Sequence, residues 1–240
     1  MLKNRRAVAA IEFALIAPVM IALVFGVFDI SKGVILWQQV YNASRNIPVS
    51  ASNVSVQADK STQLTALQAQ QAMSTIYAEM PWLRDQIETN PNKSVTLSSV
   101  AFVPISGCIA SPSTNCFQAY VTWSASYNGG AGQSSNHFLP IRRPCGILTQ
   151  KNPSDPVLPA QLMSTLRTLG ISEPDPILVA DVWYQYTPVS LRFIGPVIDF
   201  RATGYWSVRS VDTTQGATQQ YTSYTPADSN VICVPPPANY

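Results

Sequence analysis

The chain has 240 residues, of which 46% are hydrophobic and only 12% are charged. This composition provides enough apolar side chains for one sizeable core or two small ones, and it excludes a mostly disordered protein. The 15 Lys and Arg residues nearly balance the 13 Asp and Glu residues, and three of the cations, Lys3, Arg5 and Arg6, lie at the extreme N-terminus. Since the remainder has no basic excess, we expect no nucleic-acid partner.

Residues 8–28, VAAIEFALIAPVMIALVFGVF, form an apolar run with a single acid. As a helix, the run reaches about 31 Å, which matches a hydrocarbon core of about 30 Å. The basic residues before it predict a cytoplasmic N-terminus, with everything after Asp29 outside the cytosol. The alternative is a cleaved secretory signal, but the run exceeds the usual apolar region of about 7–15 residues and no small-residue cleavage site follows it.

Glu12 is the single acid in this run. A carboxylate at the centre of a membrane helix costs about 2.5–3.5 kcal/mol on insertion scales, so such a residue suggests a function. Alternatively, Glu12 lies near the cytoplasmic interface and extends its carboxylate to water. Position alone does not distinguish these interpretations.

The order of residues around Glu12 resembles a known processing signal. Small residues, Glu12 and Phe13, and then an apolar helix follow a short basic leader, as in the class III signal of type IVb pilins and pseudopilins. The resemblance implies that a prepilin peptidase cuts between Ala7 and Val8, which makes Glu12 the fifth mature residue. The sequence departs from the signal at Ala7, where Gly is usual.

A wider resemblance begins in the same region. Residues 5–47, RRAVAAIEFALIAPVMIALVFGVFDISKGVILWQQVYNASRNI, are similar to the N-terminal region of TadE-like proteins, minor pseudopilins of the tight-adherence (Tad or Flp) pilus system. ADVWYQYTPV (180–189) and FIGPVIDFRATGYWSVRS (193–210) resemble a pair of strands in that family. Similarity to this family implies a pilus-assembly role in adhesion and surface attachment. The implied partners are the lipid bilayer, the prepilin peptidase and other pilins. The implied location is the bacterial inner membrane, crossed once with the head in the periplasm, or a surface pilus.

The helix should continue beyond the membrane. Spacing at 100° places Ile30, Val34, Trp37 and Tyr41 on one apolar stripe, and places Gly33, Leu36, Val40, Ala43 and Ile47 on the adjacent stripe. Pro48 disfavours helix at the residue before it, which predicts a helix over residues 8–47. These stripes could pack on the chain's own head, on neighbouring subunits, or on both.

Residues 48–92 are expected to form a linker and a short helix. Val49–Lys60 is small and polar, which is typical of a linker. Ser61–Met80 predicts a helix that Pro81 ends or restarts. Its apolar stripe comprises Ala66, Ala69, Met73, Ile76, Tyr77 and Met80.

Residues 93–240 predict a β-rich head. Residues 1–7 are expected to be a basic leader. The expected fold class is therefore α+β, in which a long N-terminal helix precedes an antiparallel sheet with short helices. SVTLSSVAFVPI, CFQAYVTWSASY and NHFLPI alternate as strands do, with a glycine-rich turn at 128–132. Further strands are predicted at 177–186 and 198–211, with a short helix at 158–169 and an extended tail after 212. In the strand at 177–186, Val182, Tyr184 and Tyr186 predict one buried face.

Four cysteines, Cys108, Cys116, Cys145 and Cys233, all follow the membrane segment. An oxidising compartment favours two disulfides, and three connectivities are possible. We favour Cys108 with Cys116, because a short loop separates them, which leaves Cys145 with Cys233. Free thiols or a metal site are the alternatives, although no C-x-x-C spacing occurs.

The sequence contains few of the residues and motifs that catalytic sites use. His137 is the sole histidine, no G-x-S-x-G motif occurs, and NGGAGQ lacks the Lys and Ser/Thr of a phosphate loop. We therefore expect no catalytic residues, no cofactor, no metal and no small-molecule substrate. A signal-anchored periplasmic enzyme or binding protein is the alternative, and a plain secreted protein is a third possibility.

Overall fold

The computed structural model describes residues 2–53, 64–83, 93–104, 117–126, 143, 146–147, 177–188, 197–207 and 224–225. One long helix, α1 (Leu2–Ser52), precedes a five-stranded antiparallel sheet. The expected α+β class is therefore confirmed. The predicted glycine turn, the NHFLPI strand and the helix at 158–169 lie outside the described residues.

The sheet has the strand order β4, β3, β2, β5, β6, in which β2 is Lys93–Pro104, β3 is Phe117–Ser126, β4 is Gly146–Ile147, β5 is Ile177–Tyr186 and β6 is Ile198–Ser207. Every described pairing in this sheet is antiparallel. The predicted strands at the start of the head and at 177–186 are confirmed. Described strand structure in β6 ends at Ser207, and the remainder of the predicted strand lies outside the described residues.

A β-bulge in β3 changes which face its side chains point to. Ser99 pairs with Trp123 whereas Val100 pairs with Val121, so Thr122 is the extra residue. Its hydroxyl donates a hydrogen bond to the Ser99 carbonyl at 3.2 Å. Because of this insertion, Trp123 packs in the core on one face of the sheet and Val121 packs in a second cluster on the other face.

A predicted single helix over Ser61–Met80 is wrong in its start and in its continuity. Leu64–Thr65 forms a short strand, β1, that pairs in parallel with β7 (Tyr224–Thr225). The helix is split into α2 (Ala66–Ser74) and α3 (Ile76–Glu79), followed by a 3₁₀ turn at Pro81–Leu83. At the break, the Thr75 hydroxyl donates to the carbonyl of Ala72 at 2.7 Å, in competition with the helical ladder. The apolar stripe itself is buried at Ala69, Met73, Ile76 and Met80.

The main core lies between one face of the sheet and the helices. Alternate residues of β5 (Leu178, Ala180, Val182, Tyr184 and Tyr186) point into it, together with Val95 and Leu97 of β2. The buried face predicted for β5 is confirmed. α1 covers β5 and β6, and α2 packs on α1 and β2.

The opposite face of the sheet carries a buried polar network that the sequence did not reveal. Arg143 donates two hydrogen bonds to Asp181, from Nε to Oδ2 at 2.7 Å and from Nη2 to Oδ1 at 2.8 Å. Thr203 donates a third to Asp181 Oδ1 at 2.8 Å. The Arg143 amide donates to Ser124 Oγ at 3.0 Å. A bidentate pair of this kind tolerates burial because its polar atoms are satisfied, and loss of one partner costs about 3–5 kcal/mol.

Candidate functional site: the N-terminal helix

The first half of α1, Val8–Phe28 (the bare half), has almost all of its side chains exposed. Its large apolar side chains are all exposed, and Ala17 and Gly26 are only half-buried. The most apolar 18-residue window of the helix has a mean hydropathy of 2.5 and no buried share. Length and composition therefore allow this half to cross a membrane, and apolar exposure on this scale calls for an apolar environment.

The predicted processing and charge-pairing residues lie at the start of this half of the helix or directly before it. Ala7 and Val8 are in continuous helix, which begins at Leu2 instead of at Val8 as expected. Glu12 and Phe13 are exposed on its surface. The structure thus places the carboxylate of Glu12 among bare apolar side chains, while the cut between Ala7 and Val8 stays a prediction.

All four predicted disulfide residues, Cys108, Cys116, Cys145 and Cys233, lie outside the described residues. Their pairing stays a prediction. Within the described ranges, no group of three or more His, Cys, Asp or Glu side chains could hold a metal ion.

The second half of α1, Asp29–Ser52 (the docked half), is packed on the sheet along one stripe. Leu36, Val40, Ala43 and Ile47 are buried, and they belong to the stripe that begins at the half-buried Gly33. The interpretation that this stripe packs on the chain's own head is confirmed for these residues.

The adjacent apolar stripe is left uncovered. Ile30, Val34, Trp37 and Tyr41 are all exposed. The Trp37 and Tyr41 rings stack with centroids 5.9 Å apart, and the Arg45 guanidinium lies 5.4 Å from the Tyr41 ring centroid. The second half of α1 therefore has one apolar face buried on the sheet and another facing outward.

α1 continues through Pro48 to Ser52, so the expected end of the helix at Pro48 is wrong, and Val49–Ser52 is helix instead of linker. Pro48 has no N–H to donate to the Ser44 carbonyl, a loss of about 3 kcal/mol within a helix. Ile47 and Ala51 are fully buried on either side of it. Burial of one such Ile contributes about 1.5–3 kcal/mol, which offsets most of that loss.

Strand β6 lies directly against the backbone of α1 at this point. A Cβ built on Gly204 would collide with the Ser44 carbonyl oxygen and would lie 2.5 Å from its carbonyl carbon. Glycine at 204 is therefore a steric requirement for the helix to lie on the strand. Gly33 differs, since a Cβ there would lie 3.9 Å from Phe200 Cζ, an ordinary contact.

A polar contact fixes the sheet to the boundary between the two halves of α1. The Tyr186 hydroxyl donates a hydrogen bond to Asp29 Oδ1 at 3.2 Å, and both residues are buried. Phe200 stacks on Tyr186 at 6.2 Å, and Lys32 Nζ lies 5.9 Å from the Tyr186 ring centroid. Burial, reinforced by the hydrogen bond and the negative charge of Asp29, raises the pKa of Tyr186 to about 12.

A comparison with protein-family models found a match that falls on this helix. Residues 7–47 match the TadE-like protein family. This TadE-like segment begins at the predicted processing site and ends at Ile47, so the predicted resemblance of the N-terminal region is confirmed. Comparisons with curated proteins and with solved structures found no match.

The TadE-like segment includes the bare half of α1 and most of the docked half. Together with the apolar helix, this match indicates a membrane-anchored protein. The match does not reach β5 and β6, whose resemblance to the same family stays a prediction.

Proposed function

We propose that the chain is a minor pilin or pseudopilin of the Tad/Flp type IVb pilus system, anchored in the bacterial inner membrane by Val8–Phe28. The observation that carries this proposal is that the TadE-like segment coincides with a helix whose first half, Val8–Phe28, is apolar and exposed. Members of the TadE-like family are pilus components and not enzymes. The N-terminus is cytoplasmic and the sheet is periplasmic in this proposal, in accordance with the basic residues that precede Val8.

In the proposed assembly, Glu12 forms an ion pair between subunits. Cleavage after Ala7 by the prepilin peptidase frees the Val8 amine, and the Glu12 carboxylate of an adjacent subunit neutralises it. Opposite charges attract strongly only where water is scarce, which is the environment that exposed apolar side chains around Glu12 require. An unpaired carboxylate would be penalised there for the same reason, so pairing favours helices that lie side by side.

The exposed stripe of Ile30, Val34, Trp37 and Tyr41 provides an apolar surface for packing between subunits. It continues the apolar surface of the membrane half beyond Asp29 and is not covered by the chain's own sheet. In the proposed assembly, this stripe lies against the helix of another pilin. Rigid aromatic side chains such as Trp37 and Tyr41 are common anchors in interfaces.

The charge-pairing role is tested with Glu12→Gln, which keeps the shape of the side chain and removes its charge. We expect membrane insertion to be unchanged, because a neutral amide is easier to bury, and we expect pilus assembly to fall sharply. Alkaline carbonate extraction measures insertion, and counts of surface pili measure assembly. Glu12→Asp, which retains the charge, serves as the control and should keep more assembly. Normal piliation with Glu12→Gln would refute the role of the charge.

Processing is tested with Ala7→Phe. A bulky side chain before the cut should block the peptidase, so the variant should retain its leader while the unaltered protein begins at Val8. Mass spectrometry of the envelope-bound protein, with and without the peptidase, measures both N-termini. Retention of Met1 by the unaltered protein in piliated cells would refute the predicted cut.

A further inference from the structure

The sheet is aligned with α1 by two contacts. Tyr186 meets Asp29 near one end of β5, and Gly204 of β6 meets Ser44 further along the helix. Gly204 pairs with Ala180, six residues before Tyr186 in β5. Fifteen helical residues rise about 22 Å and six strand residues span about 20 Å, so β5 and β6 run nearly along the helix axis.

This alignment points one end of the sheet at the bare half of α1. The last pair between β5 and β6 is Tyr186 with Ile198. Because Tyr186 contacts Asp29, the residue directly after the apolar run, this pair lies at the level where the run ends. The opposite end of β5, at Ile177, is about 30 Å further away along the strand.

The same end of the sheet exposes apolar side chains. Val197 is 47% exposed and Ile198 is 40% exposed. Among the described residues outside α1, Trp82 is the one other large hydrophobic residue that is exposed. Ile30 and Lys32 are also exposed at this level of α1. Exposed apolar side chains at the same level as an exposed cation are typical of the interfacial layer of a membrane.

We propose that Val197 and Ile198 rest in the headgroup layer of the bilayer that α1 crosses, as a second membrane contact of the chain. The inference depends on the membrane anchoring in the proposed function. The polar layers extend a bilayer from about 30 Å to about 40–45 Å, so a sheet end level with Asp29 meets the outer layer. Lys32 is placed to reach anionic headgroups. This contact limits the tilt of the sheet on the membrane, which a single helix would leave free.

The test uses the full chain in vesicles of phosphatidylethanolamine and phosphatidylglycerol, with a fluorescent amino acid at one position at a time. We expect brominated lipids to quench a label at Ile198 several-fold more than a label at Asn53. Asn53 is exposed and lies about 36 Å along the helix from Asp29. Quenching at Ile198 no greater than at Asn53 overturns the proposal. Shielding of Ile198 from aqueous iodide without lipid quenching also overturns it, because the neighbour is then another protein chain.

A label at Val19 separates failure of this inference from failure of the anchor. If Val19 is not quenched by brominated lipids, the proposed anchoring by α1 fails, and with it the basis for a second contact. If Val19 is quenched and Ile198 is not, the inference alone fails.

The variant V197D/I198D supplies a second test, with the label at the exposed Thr187 beside Tyr186. Both substituted side chains are largely exposed, so the fold in detergent should persist. Quenching at Thr187 should fall by more than half, since charged groups do not enter the headgroup boundary as apolar ones do. Unchanged quenching at Thr187 overturns the proposal.

Discussion

The two halves of α1 are equally helical but obtain their stability from different surroundings. Val8–Phe28 is apolar on all sides and contacts little of its own chain, whereas Asp29–Ser52 is apolar on adjacent stripes and buries one of them on β5 and β6. The boundary is marked by Asp29, which is buried against Tyr186. The first half therefore depends on a lipid-like environment, and the second half depends on the sheet.

This difference separates two kinds of mutation. Changes on the buried face of the docked half should destabilise the protein even in detergent, while matched changes at exposed or loosely packed positions of the same half should not. Thermal unfolding and alkaline titration in detergent micelles measure that separation.

The largest effect is expected for Gly204→Val. Its Cβ would collide with the Ser44 carbonyl, and neither backbone can yield without separating β6 from the helix. We expect a loss of more than about 4 kcal/mol in the free energy of unfolding. Gly33→Ala is the matched control, since its Cβ meets Phe200 at 3.9 Å and Ala is favoured over Gly in helices by about 1 kcal/mol. Equal destabilisation by both variants would contradict the assigned close contact.

A second, smaller effect is expected for Ile47→Ala. Ile47 is fully buried, whereas Ile35 on the same helix is 54% exposed. Truncation of Ile47 should cost about 2–5 kcal/mol through lost burial and the cavity left behind. Ile35→Ala should change the stability by less than about 0.5 kcal/mol. The separation of the two faces would be wrong if the two variants unfolded alike.

The smallest effect is expected for Tyr186→Phe, which removes the hydrogen bond to Asp29 and costs about 1.5 kcal/mol. The pKa of Tyr186 is raised to about 12, above the ordinary value of about 10. The folded protein therefore keeps this proton at a higher pH than the unfolded chain does. The contribution is complete below about pH 10 and is lost as the pH rises through about 12.

Ultraviolet absorbance of the tyrosines during alkaline titration measures this effect. Tyr186→Phe should remove the component that ionises at the highest pH, and Asp29→Asn should shift it to lower pH. Tyr41→Phe, at an exposed position, should leave that component in place. A titration curve in which Asp29→Asn has no influence would mean that Asp29 does not govern Tyr186.

Local patterns predicted the parts of the fold that depend on neighbours in sequence. The stripe from Gly33 to Ile47 repeats at helical spacing, so its burial could be foreseen, and the alternation at 177–186 indicated a strand with a buried face. The TadE-like order of residues around Glu12 was recognisable because the membrane half is a continuous local signal. Each of these features is contained in one continuous segment of the chain.

Other features depend on distant residues and could not be predicted. The sequence around Pro48 contains a helix breaker, and the burial of Ile47 and Ala51 that offsets it depends on residues elsewhere in the chain. Asp29 and Tyr186 are 157 positions apart, and Arg143 and Asp181 are 38 apart. Nothing in the sequence next to Asp181 shows that this residue is buried, because its partners Arg143 and Thr203 come from other segments of the chain.

The unbroken course of α1 has a mechanical consequence. At about 1.5 Å per residue, its 51 residues make a rod about 76 Å long, and the sheet is fixed to the rod at Asp29 and again at Ser44. Since the sheet is attached at two points of the same helix, movement of the helix along its axis or rotation about that axis would move the sheet with it. A machine that extracts the helix from the membrane would lift and turn the sheet in the same movement.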